Sequence, residues 1–418
     1  MNVPITVLYL ATIAGKLALS ALNVRHRRTH GHLVPSEFEG RIDPTRLAAI
    51  SAYHADRERL GLVQTLFWAV VVFAFMFGGG LTAYDQWVAA LIEPGVLRGV
   101  VFFVGLQLGT SLLELPFEIY STFSIEQKHG FNRMTVGLFV TDTIKSLLLG
   151  TAFLALIGAA GLAIIDAAPQ LYWLWFWVLV VAVAVLLMLI APYVIEPLFI
   201  KTSPLKDEAL AQSVRALADR VGVEVKQVLE MDASRRTAHS NAYFTGIGRV
   251  KRVVLFDTLL QRLTHDEILA VLGHELGHWR LRHVSQRLIT TAAMALLLFY
   301  LGAQLLAWQD FSTWLGLGPS SLYAKLVMLA FIAGILGFAI TPLSAYWSRR
   351  HEWQADEFAS KITGQPQQLA SALVKLAEDN LTNLHPHPFY ATFYYSHPPT
   401  AIRVRKLRER AAVLPQSA

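Results

Sequence analysis

Seven stretches of this chain are apolar for long enough to cross a membrane, and that constrains its fold more than any other feature. A helix rises about 1.5 Å per residue and the hydrocarbon core of a bilayer is about 30 Å thick, so one crossing needs roughly 20 mainly apolar residues. Residues 4–22, 62–81, 97–117, 138–165, 171–195, 288–308 and 322–347 meet that length. A chain of 418 residues would otherwise suggest two or three soluble domains, but 54% of it is hydrophobic and the mean hydropathy is +0.44, which excludes them. The first stretch lacks a basic leader and carries Lys16, so it reads as a retained span and not as a cleaved signal peptide.

Charge orients the spans. Seven arginines lie between residues 25 and 59, whereas the connections 85–93, 166–170 and 309–321 hold neither lysine nor arginine. By the positive-inside rule the first connection is cytoplasmic and the N-terminus outside, which puts residues 195–287 and the tail from 348 on the cytoplasmic side. The same asymmetry accounts for the net charge of +6 and the pI of about 9.4. No basic cluster is interleaved with stacking aromatics, so no nucleic-acid partner is expected. The chain has no cysteine, which excludes disulfides, thiolate catalysis and cysteine-held metal.

Residues 271–279 read Val-Leu-Gly-His-Glu-Leu-Gly-His-Trp. His274, Glu275 and His278 spell H-E-x-x-H. On a helix, histidines four apart sit one above the other and reach one zinc ion, with Glu275 beside it as the base for a water that the metal acidifies. The pattern carries weight only on a helix, and one is expected: Thr264 and Glu267 form a capping box ahead of apolar Ile268, Leu269, Val271 and Leu272. Two ordinary buried or surface histidines are the competing reading.

The segment ahead of that helix reads as a small α+β unit. A helix over 207–221 is capped by Gly222, β-rich runs occupy 223–231 and 252–256, and a strand at 240–245 enters a hairpin at 246–248. Beyond the last span, helices are expected at 348–362, 366–376 and 398–411. The chain thus divides into 1–200 (five spans), 201–287 (the insert with the zinc helix), 288–347 (spans six and seven) and 348–418 (helices completing the site). Glu114, Glu118, Asp142, Lys145 and Glu196 fall within or at the ends of spans, where lipid does not tolerate them; they line a polar cavity or pair between helices.

A catalytic zinc keeps one position open, so two histidines need a third protein ligand. The longer metzincin pattern fails, because residue 281 is Leu and residue 284 is Val. His283, five residues past His278, would project about 140° away on a continuous helix and is expected at the surface or an interface. Residues 351–356 (His-Glu-Trp-Gln-Ala-Asp) are a better source. Glu352 and Asp356 are four apart on an expected helix, so one can bind metal while the other hydrogen-bonds the outer nitrogen of a ligand histidine. Asn241 lies in a strand-like stretch to which a peptide can add, and His397, between Ser396 and Pro398, suits either a helix cap or an oxyanion donor.

Residues 118–132, 195–204, 239–244 (His-Ser-Asn-Ala-Tyr-Phe), 254–260, 352–356 and 395–399 (Tyr-Ser-His-Pro-Pro), with Arg403, resemble the type I CAAX prenyl proteases, and the resemblance extends over most of the chain. It implies a mainly α fold, with seven transmembrane helices and a cytoplasmic α+β, gluzincin-like zinc metallopeptidase domain. It implies one Zn2+ held by His274, His278 and Glu352, with Glu275 as base and Asp356 behind a ligand. Asn241 would contact substrate backbone, and His397 with Arg403 would serve the polarised carbonyl. A water-filled chamber, which the family is thought to enclose, would house the intramembrane charges. His351 stands where the family carries an aromatic, which leaves His351 and Glu352 as rival ligands. The compact, cysteine-free chain suits a bacterial member in the inner membrane. The implied substrate is the C-terminal tail of a prenylated protein or peptide; a membrane quality-control protease, and a transporter or scaffold with structural zinc, are the alternatives.

Overall fold

The structure, a computed structural model, describes residues 3–246, 250–316 and 320–413. All seven apolar stretches are helices: Val3–His30, Pro44–Phe77, Val96–Tyr120, Val136–Ala167, Tyr172–Val194, His283–Ala307 and Leu322–Thr363. Several outrun their apolar runs. The second starts at Pro44, where the Asp43 side chain accepts from the Arg46 backbone N–H, so its first turns are polar. It also ends earlier than its apolar run, at Phe77, because Gly79 (φ 88°) turns the chain into a separate helix, Gly80–Leu91.

The seventh helix matters most for function. Its 42 residues continue through Pro342 until Gly364 (φ 69°) ends them. That length is about 63 Å, twice the thickness of a bilayer core, so the C-terminal half carrying Glu352 and Asp356 stands clear of the apolar half.

The spans converge at two places. At one, Ile5, Met76, Phe102, Ala324 and Met328 from the first, second, third and seventh helices share a core with Leu81 and Phe311 from short connecting helices. At the other, Phe38, Ile50 and Tyr53 of the first connection meet Ile125 and Phe131, Ala270 of the helix His265–Arg280, which carries the H-E-x-x-H residues, and Leu369, Val374 and Val404 of the C-terminal helices. In between, the spans are largely exposed; the most apolar stretch of the fifth buries 0% of its residues.

The intramembrane charges both pair and line a cavity. Glu114 accepts from Trp68 Nε1 at 2.7 Å and from Gln64. Asp142 pairs with Arg236 at 2.9 Å, Lys145 donates to the Leu198 carbonyl at 2.8 Å, and Glu196 accepts from the Tyr243 hydroxyl. Glu114 and Glu118 also line a cavity of about 380 Å³ with Arg57 and Gln64.

The insert contains a four-stranded sheet of β1 (Thr202–Pro204), β2 (Glu224–Met231), β3 (Ala242–Thr245) and β4 (Val250–Phe256), in the order β1-β2-β4-β3. β2 and β4 run parallel; the other two pairings are antiparallel. β4 is central and buried on both faces, with Val253, Val254 and Leu255 at most 2% exposed, as its unbroken apolar run requires. Val253 and Leu255 pack, with Val225 and Val228 of β2, on the helix Glu208–Asp219 and on Ile268, Leu272 and Leu276 of the zinc helix. β3 closes the sheet as an edge strand. Of the hairpin expected at 246–248, residues 247 and 248 lie outside the described residues.

Candidate active site

The zinc helix, His265–Arg280, begins at the capping box read from sequence: the Thr264 backbone N–H donates to Glu267 at 2.8 Å and the Glu267 N–H to the Thr264 hydroxyl at 3.4 Å. Glu267 is buried and also accepts from Lys375 and Ser371, each at 2.7 Å, which ties this helix start to the helix Pro366–Asp379.

Two glycines set how closely the zinc helix approaches the seventh. A Cβ on Gly277 would lie 3.0 Å from Ala355 Cα and 3.2 Å from its carbonyl oxygen, and one on Gly273 would lie 3.5 Å from Ala359 Cα. Small residues face small residues, so backbones come close and the histidines of one helix reach the carboxylates of the other. A larger side chain at 277 must push the helices apart, because its obstacle is backbone. Gly277→Val is therefore expected to cost about 1–3 kcal/mol of stability and to weaken metal binding, measured by thermal unfolding and metal content of the detergent-solubilised protein.

The result is a tight donor cluster. His274 Nε2 and His278 Nε2 are 3.1 Å apart, and the Glu352 carboxylate lies 3.4 Å from the first and 3.3 Å from the second. One ligand atom from each residue falls within 4.8 Å of the others. Donors at about 2.0–2.1 Å from one tetrahedral zinc stand about 3.3–3.4 Å apart. Glu352 Oε2 is buried with no hydrogen-bond partner among the described residues, as a carboxylate oxygen reserved for a cation would be. The three residues fit a metal ion.

The groups around the cluster hold it in place. Asp356 accepts from His274 Nδ1 at 2.8 Å, and the Arg403 guanidinium grips Asp356 through Nε at 2.9 Å and Nη2 at 2.6 Å. Arg403 Nη1 stands 3.5 Å from Glu352. Burial lowers the proton affinity of His274, but Asp356 and Glu352 outweigh it and bring the imidazole up to about 9. Burial raises Glu275 above the usual carboxylate range, opposed by His274 and His278. His397 lies on the open side, its side chain 61% exposed and 3.4 Å from Glu352. Asn241 is exposed and immediately precedes β3, which packs against the zinc helix.

Of the two rivals for third ligand, Glu352 joins the cluster. His351 turns away, faces Gln286 at 3.2 Å and stacks on His283 at 4.0 Å. His283 departs from expectation: it is 2% exposed and its Nδ1 lies 3.0 Å from His278 Nδ1. The sequence reading also misses His239, stacked on Phe131 at 4.0 Å and near Glu126, which binds Tyr53 and Arg57. This network ties the first connection to the residues just ahead of Asn241. The available signal was that 118–132 and 239–244 are both among the stretches resembling one family.

Residues 23–201 match the family model described as CAAX prenyl protease N-terminal, five membrane helices, and residues 204–411 match peptidase family M48. The CAAX prenyl protease 1 homolog of Arabidopsis thaliana is 31% identical over 388 residues, covering 90% of each chain. The chain belongs to the CAAX prenyl protease 1 family of M48 peptidases. CAAX prenyl protease 1 of Saccharomyces cerevisiae is 38% identical over 314 residues, covering 71% of this chain and 69% of its own. The crystal structure of S. mikatae Ste24p superimposes with a TM-score of 0.89 at 30% identity, over 96% of this chain and 98% of that one. As an M48 family member the chain is a multi-pass membrane metalloprotease acting on peptide or protein.

Proposed function

We propose that this protease uses zinc to cut near the C-terminus of prenylated proteins or peptides, at the cytoplasmic face of a bacterial inner membrane with its N-terminus outside. The observation that carries the reading is the convergence of His274, His278 and Glu352 beside Glu275. Zinc bound there supplies Lewis acidity, lowering the pKa of water and polarising a carbonyl. Among the described residues only these three converge, whereas a purely structural zinc is closed by four protein ligands, which favours the enzyme over a scaffold.

The protein's own groups do the rest. Glu275 takes the proton of the attacking water and passes it to the leaving amine. Asp356 accepts from His274 Nδ1–H and so leaves Nε2 bare for the metal. Arg403 fixes Asp356 through Nε and Nη2 and faces Glu352, and with only 7% of the residue exposed it supports from behind the group that donates to the polarised carbonyl. That role falls to exposed His397. Asn241 opens β3, an edge strand among the described residues, to which a peptide adds as an extended strand.

The orientation is supported by packing. Ile50 and Tyr53 of the arginine-rich first connection share a core with Ala270 of the zinc helix, so connection and site lie on the same side. The prenyl preference is supported by the names of the relatives. Purified protein given matched farnesylated and unmodified peptides is expected to favour the farnesylated one by about tenfold or more in kcat/KM, which needs only about 1.4 kcal/mol of extra transition-state binding. Equal cleavage of both would remove the prenyl requirement and favour a quality-control role.

A further inference from the structure

The zinc helix stops at Arg280, Arg282 adopts a left-handed φ of 58°, and the sixth span starts at His283. The chain is bent there, so the His283 ring returns to the side of His278 instead of projecting away along a continuous helix. Its Nδ1 faces His278 Nδ1 at 3.0 Å, and its Nε2 faces Gln354 Oε1 at 3.0 Å. His351 covers one face of the ring, stacked at 4.0 Å and 6°.

Two ring nitrogens that face each other at this distance share one proton. His278 presents Nε2 to His274 and Glu352, and a nitrogen that binds metal carries no proton, so the His278 proton sits on Nδ1 and is donated to His283. His283 Nδ1 is then the bare nitrogen and its own proton is on Nε2. Gln354 Oε1 can only accept, and it selects that tautomer.

We infer that His283, held by Gln354 and clamped by His351, is a positioning residue that fixes the tautomer and ring plane of His278, as Asp356 does for His274. The inference rests on the reading of His278 as a ligand. The two histidine ligands are thereby unlike: a carboxylate backs one and a neutral imidazole the other.

The test uses the full chain in detergent, with zinc affinity from chelator competition and the visible spectrum of the cobalt-loaded protein as readouts. His283→Leu cannot accept the proton and is expected to lower zinc affinity by roughly 10–100-fold. His283→Asn keeps an oxygen acceptor near the Nδ1 position, so it should stay within about threefold of wild type with an unchanged cobalt spectrum. Gln354 is exposed, so its variants keep the test decisive should His283→Leu misfold: Gln354→Leu lowers affinity and Gln354→Glu does not. Unchanged affinity in His283→Leu, or equal loss in His283→Leu and His283→Asn, overturns the inference. His278→Ala separates the two readings. If it keeps full metal, the ligand assignment falls and the inference with it; if it loses metal while His283→Leu does not, the inference alone falls.

Discussion

Glu352→Ala is expected to reduce bound zinc to background, while His351→Ala leaves it near one per chain. The two residues are neighbours on one helix, but a helix turns about 100° per residue, so only one can face the histidines of the opposing helix. Glu352 does, at 3.3 and 3.4 Å from the two Nε2 atoms, and His351 faces Gln286. Without that carboxylate, the pocket keeps only two neutral donors, because the Asp356 charge is already paired with Arg403. Asp356→Asn should act more mildly, by roughly 10–100-fold in affinity, because an amide oxygen can still accept from His274 while the charge is lost. Metal analysis of purified variants, with helicity checked by circular dichroism, decides the matter. Zinc lost from His351→Ala and kept by Glu352→Ala would move the ligand by one position.

How much of this was legible beforehand depends on whether a feature is local. Hydropathy over some 20 residues finds a span without knowing its neighbours, which is why all seven spans were readable. The capping box at Thr264 and Glu267 and the i, i+4 histidines are equally local. Helix starts were harder, because the polar turns from Pro44 owe nothing to apolar burial in a bilayer, whereas the polar helix expected at 348–362 is present and runs on from the seventh span. His283 departs from its expected position for a related reason: a continuous helix would carry it away from His278, and nothing in Arg-Leu-Arg-His announces a left-handed Arg282. Arg403 illustrates the remaining limit. The resemblance implied a role for it at the polarised carbonyl, but its pairing with Asp356, 47 residues away, depends on how the last helix docks. The spacing of Gly273 and Gly277 was visible in sequence, but only the facing Ala355 and Ala359 give it meaning.

Glu275→Gln separates metal binding from catalysis. Glutamine keeps the shape and length of the side chain, so the helix and the three ligand atoms should stay in place and zinc should remain at one per chain. What it loses is the capacity to take a proton. Glu275 directly follows His274 on the helix that carries both histidines, and in the proposed mechanism it is the group that deprotonates the attacking water. A positioned general base is worth about 10²–10⁴ in rate, or roughly 2.7–5.4 kcal/mol, and it acts twice here, on the water and on the leaving amine. Single-turnover cleavage by Glu275→Gln is therefore expected to fall by at least that range, with peptide affinity close to wild type. Zinc content and cleavage measured on one preparation read both effects. If metal is lost with activity, Glu275 holds the site together instead of acting on the water; if turnover survives, the proton goes elsewhere, and exposed His397, 3.4 Å from Glu352, is the next group to test.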